Sequence, residues 1–222
     1  MNDARNDHEA GLRFPVRGHH PIVEMMSFAE TRGIVDFTTA ATSIRHPCSR
    51  FISAFRYFTS DMCNGFGLNT DQSVDEYVQY LEEKQWSTSY VHFRPQYTWI
   101  LNANETAVDV DNFLCNEQWD EGIHRIESVL GIEETDTRRL CNHRGLGSSS
   151  NHYKQNQHEK CKDLKPETRE AIQRYYALDY CLFGYDLLPP NEDEVCIGTD
   201  TNAESMTKRF HKCQEKLKMR GL

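Results

Sequence analysis

Hydrophobic residues recur every three or four positions in several separate segments, which is the spacing of helices that bury one face. The strongest pattern is Glu167–Leu182, which Pro166 precedes and Gly184 follows, as is common where helices start and stop. The predicted helices are 19–29, 50–59, 73–84, 120–130, 167–182 and 202–218. Most of the predicted regular structure is therefore helical.

Two stretches predict β-strands. Gly33–Ile44 is rich in β-branched residues and contains no proline, which is typical of a buried strand. Ala107–Val110 alternates as a short strand does. Few strands among several helices predict an α/β fold with a small parallel β-sheet flanked by helices.

The chain shows no internal repeat, and 222 residues are enough for one domain with a full core. Residues 1–18 are polar, charged and without clear periodicity, so we expect a flexible lead-in there. The main domain is predicted over 19–190. A loop and an amphipathic helix are predicted over 191–222.

Composition restricts the function classes. A formal net charge of −9 argues against a nucleic-acid partner, so any anion-binding site must be local. No stretch approaches the roughly 20 apolar residues of a membrane span, and the N-terminus lacks an apolar signal core, so no membrane contact is expected from this chain. Eight cysteines without a CxxC pair permit a few disulfides but leave the redox compartment open.

The segment Ser43–Tyr57 combines a strand end, a basic turn and a helix start. Pro47 ends the extended run, and Ser49 is a predicted N-cap for a helix beginning near Arg50. The helix start is electropositive, and Arg45 can grip two oxygens of an anion at once. The competing interpretation is a surface turn with two exposed arginines.

This segment resembles the 3′-phosphate-binding motif of sulfotransferases that use the sulfate donor PAPS (3′-phosphoadenosine 5′-phosphosulfate), most closely the membrane-associated, Golgi-type carbohydrate sulfotransferases and their bacterial and algal relatives. The motif residues are Arg45, Pro47, Arg50, Ser53, Ala54, Phe55 and Arg56. Four further blocks follow in the family's order, so the resemblance spans about residues 18 to 188. They are His92–Gln96, Asn112–Ile132 with Glu117 at its acidic position, a loop from Leu140, and a closing Tyr-x-x-Asp-x-x-x-Phe-Gly-Tyr signature at 176–185.

The resemblance implies a P-loop-like fold related to nucleotide kinases, and transfer of a sulfuryl group from PAPS to a hydroxyl of a carbohydrate acceptor without a metal. It implies that Arg45 and Ser53 clamp the 3′-phosphate with Arg50 in support, and that Arg144 reaches the nucleotide from a later loop. It also implies a Golgi lumen or membrane location if the protein is eukaryotic.

A general base must take the proton of the acceptor hydroxyl, and histidine has a suitable pKa. The resemblance points to the Gly-His-His-Pro element, in which either His19 or His20 aligns with the family's histidine. His92 competes for the role, and Arg94 and Gln96 are then substrate or sulfate contacts. Alternatively, His92 satisfies a backbone carbonyl at a structural corner.

One expected element has no counterpart. The family's loop for the 5′-phosphosulfate should precede the clamp, yet residues 1–44 contain no Gly-rich turn leading into a helix. We therefore expect an N-terminally incomplete or degenerate form with little transferase activity, or a non-catalytic nucleotide- or glycan-binding relative.

A polar loop offers a third interpretation, a zinc site. Its candidate ligands are Cys141, His143, His152, His158 and Cys161. Their spacing matches no common zinc pattern.

Overall fold

The computed structural model describes residues 41–59, 72–87, 91–118, 122–125, 128, 160–185 and 202–221. Its strands are β1 (Ala41–Ile44) and β2 (Asn112–Cys115). Its helices are α1 (Pro47–Thr59), α2 (Val74–Glu83), α3 (Pro166–Tyr175), α4 (Ala177–Phe183) and α5 (Ala203–Met219). Short 3₁₀ helices lie at Val91–Phe93, Gln96–Trp99, Asn116–Gln118 and Cys161–Asp163. Residues 122–125 are helical, within the helix predicted over 120–130, and the helix predicted over 19–29 lies outside the described residues.

The two strands form a parallel pair in which Ala41 lies opposite Asn112 and Ile44 opposite Cys115. Both strands therefore end at the same edge, and the turn that carries Arg45 begins there. A small parallel sheet with helices agrees with the predicted α/β class at this level. The P-loop-like arrangement itself stays a prediction.

The strand predictions need two corrections. Within the described part of the predicted strand 33–44, only Ile44 is buried, so β1 is not a fully buried strand. Residues 107–110 do not form a strand but contribute an isolated antiparallel bridge from Val108 to Leu101. The second strand is β2 instead, whose last three residues are all buried, so it lacks the period-two alternation that reveals half-exposed strands.

Helix α1 begins earlier than predicted. The carbonyl of His46 accepts the first helical hydrogen bond, from the amide of Arg50, so Pro47 occupies the first turn and Ser49 is not the N-cap. Proline suits that position because its φ is already helical and it has no N–H to satisfy. This shift places Arg45 at the junction between β1 and α1.

Two helices were predicted correctly and one was not. The N-caps of α2 and α5 are Ser73 and Asn202, and Ser73 forms a reciprocal capping box with Glu76. The single helix predicted over 167–182 is divided into α3 and α4 at Tyr176, where φ is −97° and ψ is 20°. Gly184, at φ 78°, ends α4 in the left-handed conformation that glycine adopts without strain.

The core is largely aromatic. The fully buried ring of Phe51 lies 5.1 Å from Phe93 and 6.2 Å from Tyr77, measured between ring centroids. Helix α5 packs against α4, burying Met206 and Phe210 in the same core. The predicted boundaries at 18 and 190 stay predictions.

Disulfides are present, as the cysteine count permits. Cys48, in the first turn of α1, is bonded to Cys161, and Cys181 of α4 is bonded to Cys213 of α5. The second bridge fixes α5 to the helix on which it packs. No helix in the described part of the chain is long and apolar enough to cross a membrane.

Candidate functional site

A cavity of about 600 Å³ opens beside the carboxyl end of β1. It lies between the start of α1 and the segment 91–100, and it includes part of β1 in its wall. Its lining residues are Thr42, Ser43, Ile44, Arg45, Arg50, Ser53, Ala54, Tyr57, Val91, His92, Gln96, Trp99 and Ile100. Residues from two of the five resembling blocks therefore share one cavity.

Most predicted site residues in the described segments converge here. Arg45, Arg50, Ser53, His92 and Gln96 all line the cavity. Arg94 does not line the cavity and is exposed to solvent. Its role as a substrate contact stays a prediction.

Three predicted residues lie elsewhere in the chain. His19, His20 and Arg144 are outside the described residues. Their roles stay predictions.

The cavity has a cationic character that contrasts with the chain as a whole. Arg45 and Arg50 both line it, and the described residues of its lining include no aspartate or glutamate. Ser53 is exposed on α1 and adds a hydroxyl that can donate to an anion. In a protein of net charge −9, this local arrangement favours an anionic ligand.

Gln96 holds the backbone of Arg45 on both sides. The backbone N–H of Arg45 donates to Oε1 of Gln96 at 3.0 Å, and Nε2 of Gln96 donates to the carbonyl of Arg45 at 2.8 Å. Gln96 is 7% exposed, and each end of its side-chain amide makes one of these bonds. In the structure, the residue predicted as a substrate contact is a hydrogen-bond partner of the Arg45 backbone.

Asp179 of α4 fixes the segment that carries Gln96. Its carboxylate accepts from the backbone N–H of Gln96 at 2.7 Å and from that of Tyr97 at 2.8 Å. Burial raises the pKa of Asp179 to about 6, and the two amide donors and the positive charge of Arg50 oppose the rise. The carboxylate satisfies amides at the start of a 3₁₀ helix that have no partner within the helix.

Arg50 supports the same segment from the other side. Its Nη1 donates to the backbone carbonyl of Arg94 at 2.7 Å. The hydroxyl of Tyr176 donates to the neighbouring carbonyl of Phe93 at 2.6 Å. Both contacts place the backbone of 93–94, which precedes Gln96.

Glu117 joins the two strand ends. One oxygen of its carboxylate accepts from the backbone N–H of His46 at 2.8 Å, and the other accepts from the hydroxyl of Tyr185 at 2.9 Å. His46 itself is buried with its ring edge-on to Tyr180 and Tyr185. Burial, and then the charge of Arg45, lower the pKa of His46 to about 4, so the ring is neutral near pH 7.

The far side of the cavity is aromatic. Tyr57 is 42% exposed, and its ring lies 5.5 Å from that of His92. His92 also contacts Phe58 edge-on at 5.0 Å. Trp99 completes this wall. Trp86 lies outside the cavity and stacks on Tyr175 at 4.2 Å, as expected for an aromatic that belongs to the packing.

The sequence indicated residues that line the cavity but not the residues that hold them in place. Asp179 and Tyr185 entered only as letters of the closing signature, and Glu117 only as an acidic position. A signal was present, because Asp179 lies among apolar residues of a helical pattern, where a carboxylate requires a partner. The identity of that partner depends on contacts across 83 residues of chain.

The zinc interpretation loses one ligand. Cys161 is bonded to Cys48 and cannot bind a metal as a thiolate. The other four candidates lie outside the described residues, and within those residues no group of three potential ligands lies close enough to hold a metal ion.

The fold and the cavity define an α/β protein with a local cavity that two arginines line. The sequence model of the Sulfotransferase family matches residues 2–186, so the chain belongs to the sulfotransferase family. No curated protein and no solved structure matches the chain. Proteins of this family generally use PAPS as the sulfate donor, and their reaction requires an acceptor molecule.

Proposed function

We propose that this protein transfers a sulfuryl group from PAPS to a hydroxyl of a carbohydrate acceptor, and that the cavity beside β1 receives the 3′-phosphate of the donor. The observation that supports the proposal is the convergence of Arg45, Arg50 and Ser53 with His92 in one cavity of an otherwise acidic protein. Family membership supplies the reaction class.

The phosphate clamp follows from the chemistry of the lining. A guanidinium binds two phosphate oxygens in parallel, and the hydroxyl of a serine on the helix that follows can donate to a third. Arg45 and Ser53 have these roles, while Arg50 supplies a second positive charge and supports the 93–97 segment. The two arginines thereby neutralise the negative charge of the 3′-phosphate, which is a separate group from the reacting sulfate.

Transfer itself needs a base at the acceptor. The acceptor oxygen attacks sulfur, the bond from sulfur to the bridging phosphate oxygen breaks, and adenosine 3′,5′-bisphosphate leaves. We propose that His92 is the base that takes the proton of the acceptor hydroxyl, because this histidine lines the same cavity as Arg45 and Ser53. His19 and His20 are the alternatives.

The aromatic wall suits a sugar. Tyr57 and Trp99 line the cavity, and aromatic ring faces pack against the C–H groups of a pyranose. This supports a carbohydrate acceptor. Neither the sugar nor the hydroxyl that is modified follows from it.

The resemblance also implies a P-loop-like fold and a Golgi location, and both belong to the proposal. The disulfides Cys48–Cys161 and Cys181–Cys213 support folding in an oxidising lumen, because such bonds persist there and are rare in reducing compartments.

A non-catalytic relative that binds the nucleotide or a glycan is the second candidate. It is favoured by the sequence of residues 1–44, which contains no Gly-rich turn for the 5′-phosphosulfate. It predicts nucleotide binding without turnover.

The first test measures binding of adenosine 3′,5′-bisphosphate by calorimetry. Substituting Arg45→Ala removes a charge-assisted contact worth on the order of 1.5–3 kcal/mol, so the dissociation constant should rise by about 10- to 150-fold. Arg174→Ala is the matched control, because it removes the same charge from an exposed ion pair with Glu82 on the surface. A wild-type chain that does not bind the nucleotide would refute the donor site.

The second test measures release of adenosine 3′,5′-bisphosphate from PAPS in the presence of unsulfated glycans. His92→Gln should lower the rate by about 10²- to 10⁴-fold if His92 is the base, whereas substitution of the exposed His211 by Gln should not. An unchanged rate in His92→Gln would move the role to His19 or His20. Tight binding with no turnover in the wild type would instead support the non-catalytic relative.

A further inference from the structure

We infer that Gln96 and Asp179 are positioning residues that set the place of Arg45 through two successive sets of hydrogen bonds. The inference rests on the donor-binding role proposed for Arg45, but the mechanical link can be tested without a nucleotide. Neither residue needs to contact the donor.

The first link joins Gln96 to Arg45. Arg45 directly follows the last residue of β1, where the ladder with β2 ends. The side-chain amide of Gln96 takes the place of a peptide group there, because it accepts from the N–H of Arg45 and donates to its carbonyl. Two opposed hydrogen bonds on one residue fix the orientation of its backbone, and with it the direction in which the Arg45 side chain leaves the chain.

The second link joins Asp179 to Gln96. The carboxylate lies at 0% exposure and takes both the Gln96 and the Tyr97 amide, one on each oxygen. Asparagine cannot reproduce this arrangement, since only one of its two terminal atoms accepts a hydrogen bond. The Asp179→Asn side chain would turn an NH₂ group toward one of the two N–H donors and displace the start of the 3₁₀ helix.

The two links together make Arg45 sensitive to a residue that it does not contact. Arg50 and Tyr176 hold the preceding carbonyls of Arg94 and Phe93, so displacement at Gln96 has little room to be absorbed on that side. The displacement therefore passes to the Gln96 side chain and to Arg45. Small changes in the position of a binding group can cost an order of magnitude or more in function.

Hydrogen exchange of backbone amides in the protein without nucleotide tests the mechanical link. Asp179→Asn and Gln96→Ala should each accelerate exchange of the Arg45 amide by about 10-fold or more, and Asp179→Asn should also accelerate the Gln96 and Tyr97 amides. Asp75→Asn is the matched control. Its carboxylate also accepts from backbone and side chain, at Lys165 and Thr168, but at the start of α3 and away from the cavity. Unchanged exchange at Arg45 in the two site variants would overturn the inference.

A double-mutant cycle on binding of adenosine 3′,5′-bisphosphate tests the functional link. Gln96→Ala and Asp179→Asn should each weaken binding on the order of 10-fold in the wild type but little further in an Arg45→Ala background, because both act through Arg45. Additive losses in that background would show a separate role and overturn the inference. Gln79→Ala, an exposed glutamine on α2, is the control for loss of an amide.

The two tests fail separately. A wild type without affinity for the nucleotide refutes the donor site, while the exchange rates at Arg45 still decide whether Gln96 and Asp179 position it. Normal affinity in Gln96→Ala, with the wild type binding well, refutes the positioning role alone.

Discussion

At Asp179, burial and hydrogen bonding act on one carboxyl group in opposite directions. Burial prevails and raises its pKa from 3.8 to about 6, against the amides of Gln96 and Tyr97 and the charge of Arg50. The phenols of Tyr97, Tyr175 and Tyr176 also face it, and they stay neutral because burial raises their pKa values above 10. A group with this pKa makes the stability of the fold depend on pH.

The direction of that dependence follows from proton linkage. Between about pH 4 and pH 6 the folded state holds the Asp179 proton and the unfolded state does not, so this group lowers the free energy of unfolding as pH rises. His46 acts oppositely. Its folded pKa of about 4, against 6.5 unfolded, raises the free energy of unfolding over nearly the same window. In the wild type the two contributions largely cancel.

Asp179→Asn should expose the contribution of His46. The free energy of unfolding of the variant, relative to the wild type, should increase by up to roughly 3 kcal/mol as pH rises from 4 to 6, because about 1.4 kcal/mol corresponds to each unit of pKa. Urea unfolding at several pH values measures this difference. A constant difference across the window would contradict the assigned pKa of Asp179.

At the scale of elements, the parts of the fold that short-range rules determine were predicted best. Helices α2 and α5 start at Ser73 and Asn202, whose side chains cap amides three residues away. Such signals lie within a few residues of sequence, so the pattern contains them.

Other elements depend on distant contacts and were missed. The break at Tyr176 coincides with a hydroxyl that reaches the carbonyl of Phe93, a residue 83 positions earlier. Strand β2 forms only because β1 pairs with it, and its buried run Phe113–Cys115 shows no strand period. Periodicity contains no information of this kind.

The candidate site likewise contains residues that the sequence predicts and contacts that it does not. Arg45, Ser53 and His92 could be selected from the sequence because a motif names them, and the structure places all three at one cavity. The pairing of Gln96 with Arg45 could not be predicted from the sequence, because it spans 51 residues and joins a side chain to a backbone. Motifs identify candidate positions, whereas the residues that hold them in place can be recognised only in the folded chain.

At the scale of the molecule, two of the disulfides, both within the described part of the chain, close separate loops. Cys48–Cys161 spans 113 residues and Cys181–Cys213 spans 32, and the two loops do not overlap in sequence. If a disulfide stabilises mainly by reducing the entropy of the unfolded chain, the longer loop contributes more.

We therefore expect unequal losses when the bridges are removed one at a time. Each paired Cys→Ala variant should lose about 2–5 kcal/mol in the free energy of unfolding, and removal of Cys48–Cys161 should cost about 1 kcal/mol more than removal of Cys181–Cys213. Guanidinium unfolding of both variants and of the wild type measures the difference. Equal losses, or a larger loss at Cys181–Cys213, would show that contacts between α4 and α5 in the folded state, rather than loop entropy in the unfolded chain, determine the contribution of these bridges.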